Sequence, residues 1–206
     1  MPGSTVRAPW SLARSAQAAI VAAAVADVAQ VWELGALRLP PLTAPTSDPL
    51  YFPQIYVWAM TVAAALFLVW FAQCRRNADQ ISPGAVKGTV GWAVVVWLLP
   101  VVNLWAPRGL VVDVQRASSA PGAAPRRGEV LVNVWWTAWT GHTIAHFTLT
   151  GLGGVTSLPS LVAVESFQLL AAALAVVVIQ RVTARQAAAL GPGVPAPAPA
   201  VLPHGS

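Results

Sequence analysis

His142 and His146 are four residues apart and share one face of an apolar, helix-length run, the spacing at which two imidazoles can hold a metal ion. No Cys or carboxylate lies near them in sequence and no HExxH pattern is present, so the expectation is a hydrogen-bonded pair inside a helical bundle, with no metal or cofactor assigned. Asp27 sits within another apolar run. Gln30 lies beside it on one helical face and Glu33 a turn beyond. A carboxylate at the centre of a membrane helix costs roughly 2.5 to 3.5 kcal/mol, so such a group faces the protein and is by default functional. Two readings follow: a proton or cation relay in concert with His142, His146 or Glu165, or a neutral, hydrogen-bonded carboxyl that aligns helices. Pro100 removes a backbone donor inside a third apolar block, and the Asn103 amide nearby can satisfy the groups freed there. No nucleophile elbow, Walker loop, paired Cys motif or usefully spaced carboxylate pair occurs, so no catalytic residue is assigned and the protein is not expected to be an enzyme.

The setting of these residues is a membrane. The chain is 56% hydrophobic and 9% charged, against about one quarter charged in soluble domains. Twelve basic residues face seven acidic ones, and eleven of the twelve are Arg, which with the abundance of Ala, Gly and Pro suggests a GC-rich bacterial genome. In a membrane chain such an excess reports orientation and contact with anionic headgroups; nucleic acid is not an expected partner. Lone Cys74 can form no intrachain disulfide and is expected to pack at the inner boundary.

Spans are expected at about 16–37, 53–72, 130–150 and 161–180, after a cytoplasmic segment at 1–15 and before a disordered Pro/Ala-rich tail at 188–206. The first run could instead be a cleaved signal, but its apolar character resumes beyond Asp27. The block at 88–106 is too short for a comfortable crossing and is broken by Pro100. If it returns to the side it left, eleven basic residues lie inside and only Arg38 outside; if it crosses, five lie inside and seven outside. The positive-inside rule favours the first arrangement. The fold class is therefore an all-α integral membrane protein, with four transmembrane helices and a Pro-broken re-entrant or interfacial hairpin; five transmembrane helices is the alternative. An amphipathic helix at 108–118 is expected to lie in the interface. Both termini are expected to be cytoplasmic, in a bacterial plasma membrane, with Arg75, Arg76, Arg108 and Arg116 meeting anionic lipid headgroups or a protein partner.

The ordered runs WFAQCRRNAD at 70–79, GWAVVVWLLPVVNLWAP at 91–107, DVQRAS at 113–118, LVNVWWTAW at 131–139 and RVTARQ at 181–186 resemble the bacterial, mainly actinobacterial, domain of unknown function 4328 family. The resemblance covers about residues 15–187, and Gln73 and Gln115 stand where the family often has a basic and an aromatic residue. It implies a multi-pass membrane protein without an assigned activity. The functional expectation is a non-enzymatic interaction, sensing or envelope-associated module with an arginine-rich cytoplasmic face. The alternative is a small transporter or channel using Asp27 and the broken element at Pro100 and Asn103; an intramembrane metal enzyme built on His142 and His146 is a third.

Overall fold

A computed structural model describes residues 7–36, 51–119, 126–151 and 158–191, which form six α-helices with no strand among them. They are α1 (Trp10–Ala36), α2 (Tyr51–Ile81), α3 (Val90–Val95), α4 (Ala106–Ala117), α5 (Arg126–Gly151) and α6 (Leu158–Leu190). Pro53 and Pro159 fall in the first turns of α2 and α6, where a missing N–H breaks no helical bond. Three stretches are long and apolar enough to cross a membrane: Trp10–Trp32, Pro53–Ile81 and Val162–Leu190. Within their most apolar windows only 22, 28 and 33% of the residues are buried by protein. Side chains such as Val25, Trp58 and Val162 face outward. Exposed apolar surface of this extent is compatible with a membrane setting.

α1 runs antiparallel to α2 and packs also on α6, which pairs with α5. Several boundaries differ from expectation. α1 begins at Trp10, inside the segment expected to precede the first span, and α2 and α6 continue past 72 and 180 to Ile81 and Leu190. The extra turns carry polar residues that bond to one another. Gln186, fully buried, donates from Nε2 to the Cys74 carbonyl at 2.7 Å and to Ser118 Oγ at 3.2 Å, while its Oε1 accepts from Asn77 Nδ2 at 3.3 Å. Asn77, also fully buried, reaches the Arg7 carbonyl and accepts from Gln73. Trp70 Nε1 donates to Thr183 Oγ1 at 3.0 Å. This network ties the start of α1, the end of α2, the end of α4 and the end of α6 together at one end of the bundle. The tail at 192–206 and the loops at 37–50, 120–125 and 152–157 lie outside the described residues.

Gly128, in the first turn of α5, abuts the same network. A Cβ there would stand 2.5 Å from the Gln115 side-chain amide and 2.8 and 2.9 Å from the Arg185 guanidinium. Gln115 is buried, with its amide oriented to donate to the Gly128 carbonyl and accept from Arg185 Nη1, so it has little room to move. Gly128→Ala is expected to destabilise the protein by about 1 to 3 kcal/mol through overpacking, measurable as a lower unfolding temperature in detergent. Gly109, with open space at its Cβ, is the control: Gly109→Ala should not destabilise.

The block around Pro100 is a hairpin. Thr89 caps α3, accepting from the Trp92 N–H at 3.2 Å. Helix gives way to a 3-10 turn at Val96–Leu98, and Leu99, before Pro100, takes φ −89° and ψ 110°, the extended conformation that a following proline imposes. A second 3-10 turn, Val102–Leu104, leads into α4, which has Pro107 in its first turn. The chain enters the hairpin at Lys87 and Gly88, whose carbonyls accept from Arg75 Nη2, and leaves it at Ala117, whose carbonyl accepts from Ser82 Oγ at 3.1 Å. Both ends therefore lie beside the last turns of α2. The tip reaches Phe67, two turns further along that helix, where Trp97 meets it edge-on with ring centroids 4.9 Å apart.

Candidate functional site

Trp97 is the centre of an aromatic cluster. Its ring lies 5.7 Å from Phe71, 6.4 Å from Trp135 and 5.9 Å from Trp136, and Trp136 in turn meets Trp139 at 5.0 Å. Trp136 Nε1 donates to the Leu104 carbonyl at 3.1 Å, which fixes the hairpin to α5. Beneath this tip is a cavity of about 230 Å³, walled by α1, α2, α5, α6 and the hairpin. Ile20, Ala23, Met60, Ala63, Phe67, Ala171 and Ala175 make most of its lining apolar, while Asn103 and Gln168 bring amides to it.

The side-chain oxygen of Asn103 has no hydrogen-bond partner. This corrects the expectation that its side chain would repair the break at Pro100. The backbone does that work, through Asn103 N to Leu99 O at 2.8 Å and Leu104 N to Val101 O at 3.2 Å, leaving Asn103 Oδ1 on the cavity wall. The Nε1 of Trp97 is likewise buried without an acceptor.

A polar cluster sits one helical turn outward of the cavity on each long helix. Asp27 follows Ala23 and Ala24 on α1, Tyr56 precedes Met60 on α2, His142 follows Trp139 on α5, and Glu165 precedes Gln168 on α6. The Asp27 and Glu165 carboxyls face each other within hydrogen-bonding reach, with His142 and His146 near Asp27 and Tyr56 beside both carboxyls. The His142 and His146 rings stack at 5.8 Å, and His142 Nδ1 lies 3.2 Å from the Val164 carbonyl, which can only accept, so Nδ1 carries the proton. Asp27 is 7% exposed. Its Oδ2, Glu165 Oε2 and Gln30 Oε1 are buried and receive no hydrogen bond from an N–H or hydroxyl group. Two facing carboxyls bond only through a shared proton or a donor supplied from outside. Among the described residues no group of three or more His, Cys, Asp and Glu is arranged to hold a metal ion. The side chain of Glu33 lies outside the described set.

The structure thus joins Asp27, His142, His146 and Glu165, and places Asn103 on the cavity below them. Tyr56, Trp97 and Gln168 were not foreseen. Gln168 had a signal, three residues after Glu165 and hence on the same face; Trp97 had none beyond its apolar neighbours.

The arginines are distributed differently from expectation. Arg75 is 2% exposed and its guanidinium holds the hairpin's entrance, so it is a structural clamp and not part of an open basic face. Arg76 is exposed. Arg108 Nε donates to Asn133 Oδ1 at 2.8 Å, and Arg116 pairs with Glu129 at 2.8 Å, both at the surface. α4 buries Val111, Val112, Val114 and Gln115 against the bundle. Cys74 is fully buried and packs in the core.

The hydrogen bond from Arg116 holds the Glu129 carboxyl below its usual range. A depressed carboxylate contributes stability that is present above its unfolded pKa of about 4.3 and is lost as pH falls through the lower folded value. Glu129→Gln should lower the unfolding temperature only slightly at pH 7, since exposed pairs are heavily screened, and the difference should shrink as pH falls.

The fold and site define an α-helical protein with three membrane-compatible helices, a clamped hairpin and a half-open apolar cavity with a polar cluster one helical turn beyond it. It belongs to the family described as a domain of unknown function (DUF4328), whose sequence model matches residues 50–186. The match takes in α2 to α6 and leaves out α1, and with it Asp27. No curated protein and no solved structure matches the chain.

Proposed function

We propose that the protein is a four-span binding module of a bacterial plasma membrane, not an enzyme, and that its working site is the cavity under the hairpin tip. The observation that carries this reading is the cavity itself: about 230 Å³, half-open and lined from five elements, with an unpartnered Asn103 oxygen in its wall. An engineered cavity of about 150 Å³ is enough to hold benzene.

α5 is taken as the fourth span. It is less apolar than the other three, but it lies antiparallel along α6, and its Thr140, Thr143 and Thr148 hydroxyls bond back to the carbonyls of Trp136, Trp139 and Ile144, so they need no water. The hairpin enters from and returns to the cytoplasmic side. That orientation is supported by exposed Arg14, Arg76, Lys87, Arg116 and Arg181 at the end of the bundle where both its ends lie, and by the positive-inside rule. Exposed arginines there also meet anionic headgroups, at about 1 kcal/mol per residue near the surface.

The site is tested in lipid nanodiscs with bromobenzene, which quenches tryptophan fluorescence on contact. Saturable quenching in the parent protein, and its loss on filling the cavity with Ala171→Phe, are expected. Quenching that rises linearly with concentration in both proteins would refute a binding cavity. Sidedness is tested separately: Lys87→Cys and Arg127→Cys, with Cys74 replaced by Ala, should both react with an impermeant maleimide only from the cytoplasmic face.

A further inference from the structure

Resting on the cavity reading above, we infer that the ligand is a lipophilic amine in its ammonium form, with its apolar body in the cavity and its charged head between Asp27 and Glu165. Three features lead to this class. The first is the sign of what is missing. Four buried oxygens, on Asn103, Asp27, Gln30 and Glu165, receive no hydrogen bond from an N–H or hydroxyl group, whereas Trp97 Nε1 is the single buried donor in this region lacking an acceptor. A complementary ligand therefore brings donors, and beside two facing carboxyls it brings positive charge.

The second feature is the wall. Phe67, Trp97, Trp135 and Trp139 line the cavity, and its wall at Ala24, Trp139 and Gln168 lies one helical turn from Asp27, His142 and Glu165, so the rings give the apolar body of the ligand its contact area. Apolar side chains from α1, α2 and α6 complete it, so a hydrocarbon portion is desolvated along with the charge.

The third is a path. A groove on the outer surface of α1 and α6, lined by Val21, Val25, Leu169 and Val176, shares Ala24 and Ala172 with the cavity. These two small side chains belong to both walls. The ligand reaches the site sideways from the bilayer, in which lipophilic amines concentrate.

The titratable groups around the head are Asp27 on α1, Tyr56 on α2, His142 and His146 on α5, and Glu165 on α6, so every long helix contributes one. Binding of the ammonium ion displaces any proton shared by the two carboxyls, which leaves to the aqueous phase as the N–H donors take its place.

The test uses 4-phenylbutylamine and pentylbenzene, which have the same shape and differ in an ammonium against a methyl group. Each is titrated into the full-length protein in neutral-lipid nanodiscs, reading tryptophan fluorescence. The amine should bind more tightly than the hydrocarbon. Asp27→Asn combined with Glu165→Gln should weaken the amine about tenfold or more, the scale of a lost charged hydrogen bond, and leave pentylbenzene unchanged. Ala172→Phe should weaken both. If the two probes bind equally and the double substitution alters neither, the cavity stands and the ammonium assignment fails. If neither probe binds, the cavity reading fails with it. Should the double variant not fold, Glu165→Gln alone must still lower the preference for the amine, or the inference is overturned.

Discussion

Gln186→Leu is expected to lower the stability of the bundle by about 2 to 4 kcal/mol, because a lost intramolecular hydrogen bond costs about 0.5 to 1.5 kcal/mol and this amide makes three. The Cys74 carbonyl, Ser118 Oγ and Asn77 Nδ2 all bond to it, at 2.7, 3.2 and 3.3 Å. Gln186 is fully buried and Ser118 and Asn77 nearly or wholly so, so water cannot take over without opening the end of the bundle. Leu matches the volume, which separates the loss of hydrogen bonds from the making of a cavity. The check is the unfolding temperature in detergent, beside Gln180→Leu on the exposed side of the same helix as control. Gln180 takes part only in a partly exposed contact with Gln17, at 3.3 Å, and its replacement should change little. Equal losses in the two variants would mean that the inner-end network does not hold the helices together.

The second large effect is at the hairpin tip. Trp97→Ala is expected to cost about 3 to 5 kcal/mol, the usual range for deleting a large aromatic side chain from a packed site. The ring touches Phe67, Phe71, Trp135 and Trp136, and nothing else on the hairpin reaches so far into that cluster. Trp97→Phe is expected to cost far less. Its indole N–H makes no hydrogen bond, so phenylalanine forfeits area but no polar partner. Trp136→Phe provides the contrast, since there the indole donates to the Leu104 carbonyl. The order expected in a thermal melt is Trp97→Phe mildest, Trp136→Phe intermediate and Trp97→Ala most severe. A Trp97→Phe variant as unstable as Trp97→Ala would show that the cluster depends on the indole N–H.

Much of this architecture is legible in residue order: long stretches with few charges in their most apolar windows become helices, as Pro53–Ile81 and Val162–Leu190 do. Leu99 before Pro100 likewise had to leave helical geometry, and it does. Helix ends were harder. Asn77 and Gln186 fall beyond the expected spans, whereas they stay helical and buried because they bond to each other across α2 and α6.

The two groups of functional interest show where local reading stops. Arg75 and Arg76 are adjacent in sequence and identical in chemistry, yet one is 2% exposed and the other lies at the surface. The difference is made by the carbonyls of Lys87 and Gly88, which reach Arg75 only when the hairpin folds back. The order of residues by itself determined an α-helical chain with membrane-compatible helices, its family, a break at Pro100 and a carboxyl at Asp27 that is turned toward protein, since desolvation penalties and backbone sterics act on each residue locally. That Asp27 faces Glu165, that Asn103 opens on a cavity instead of mending a turn, and that Arg75 is a clamp were decided only by tertiary structure, because each depends on which distant helix supplies, or fails to supply, the opposing atom.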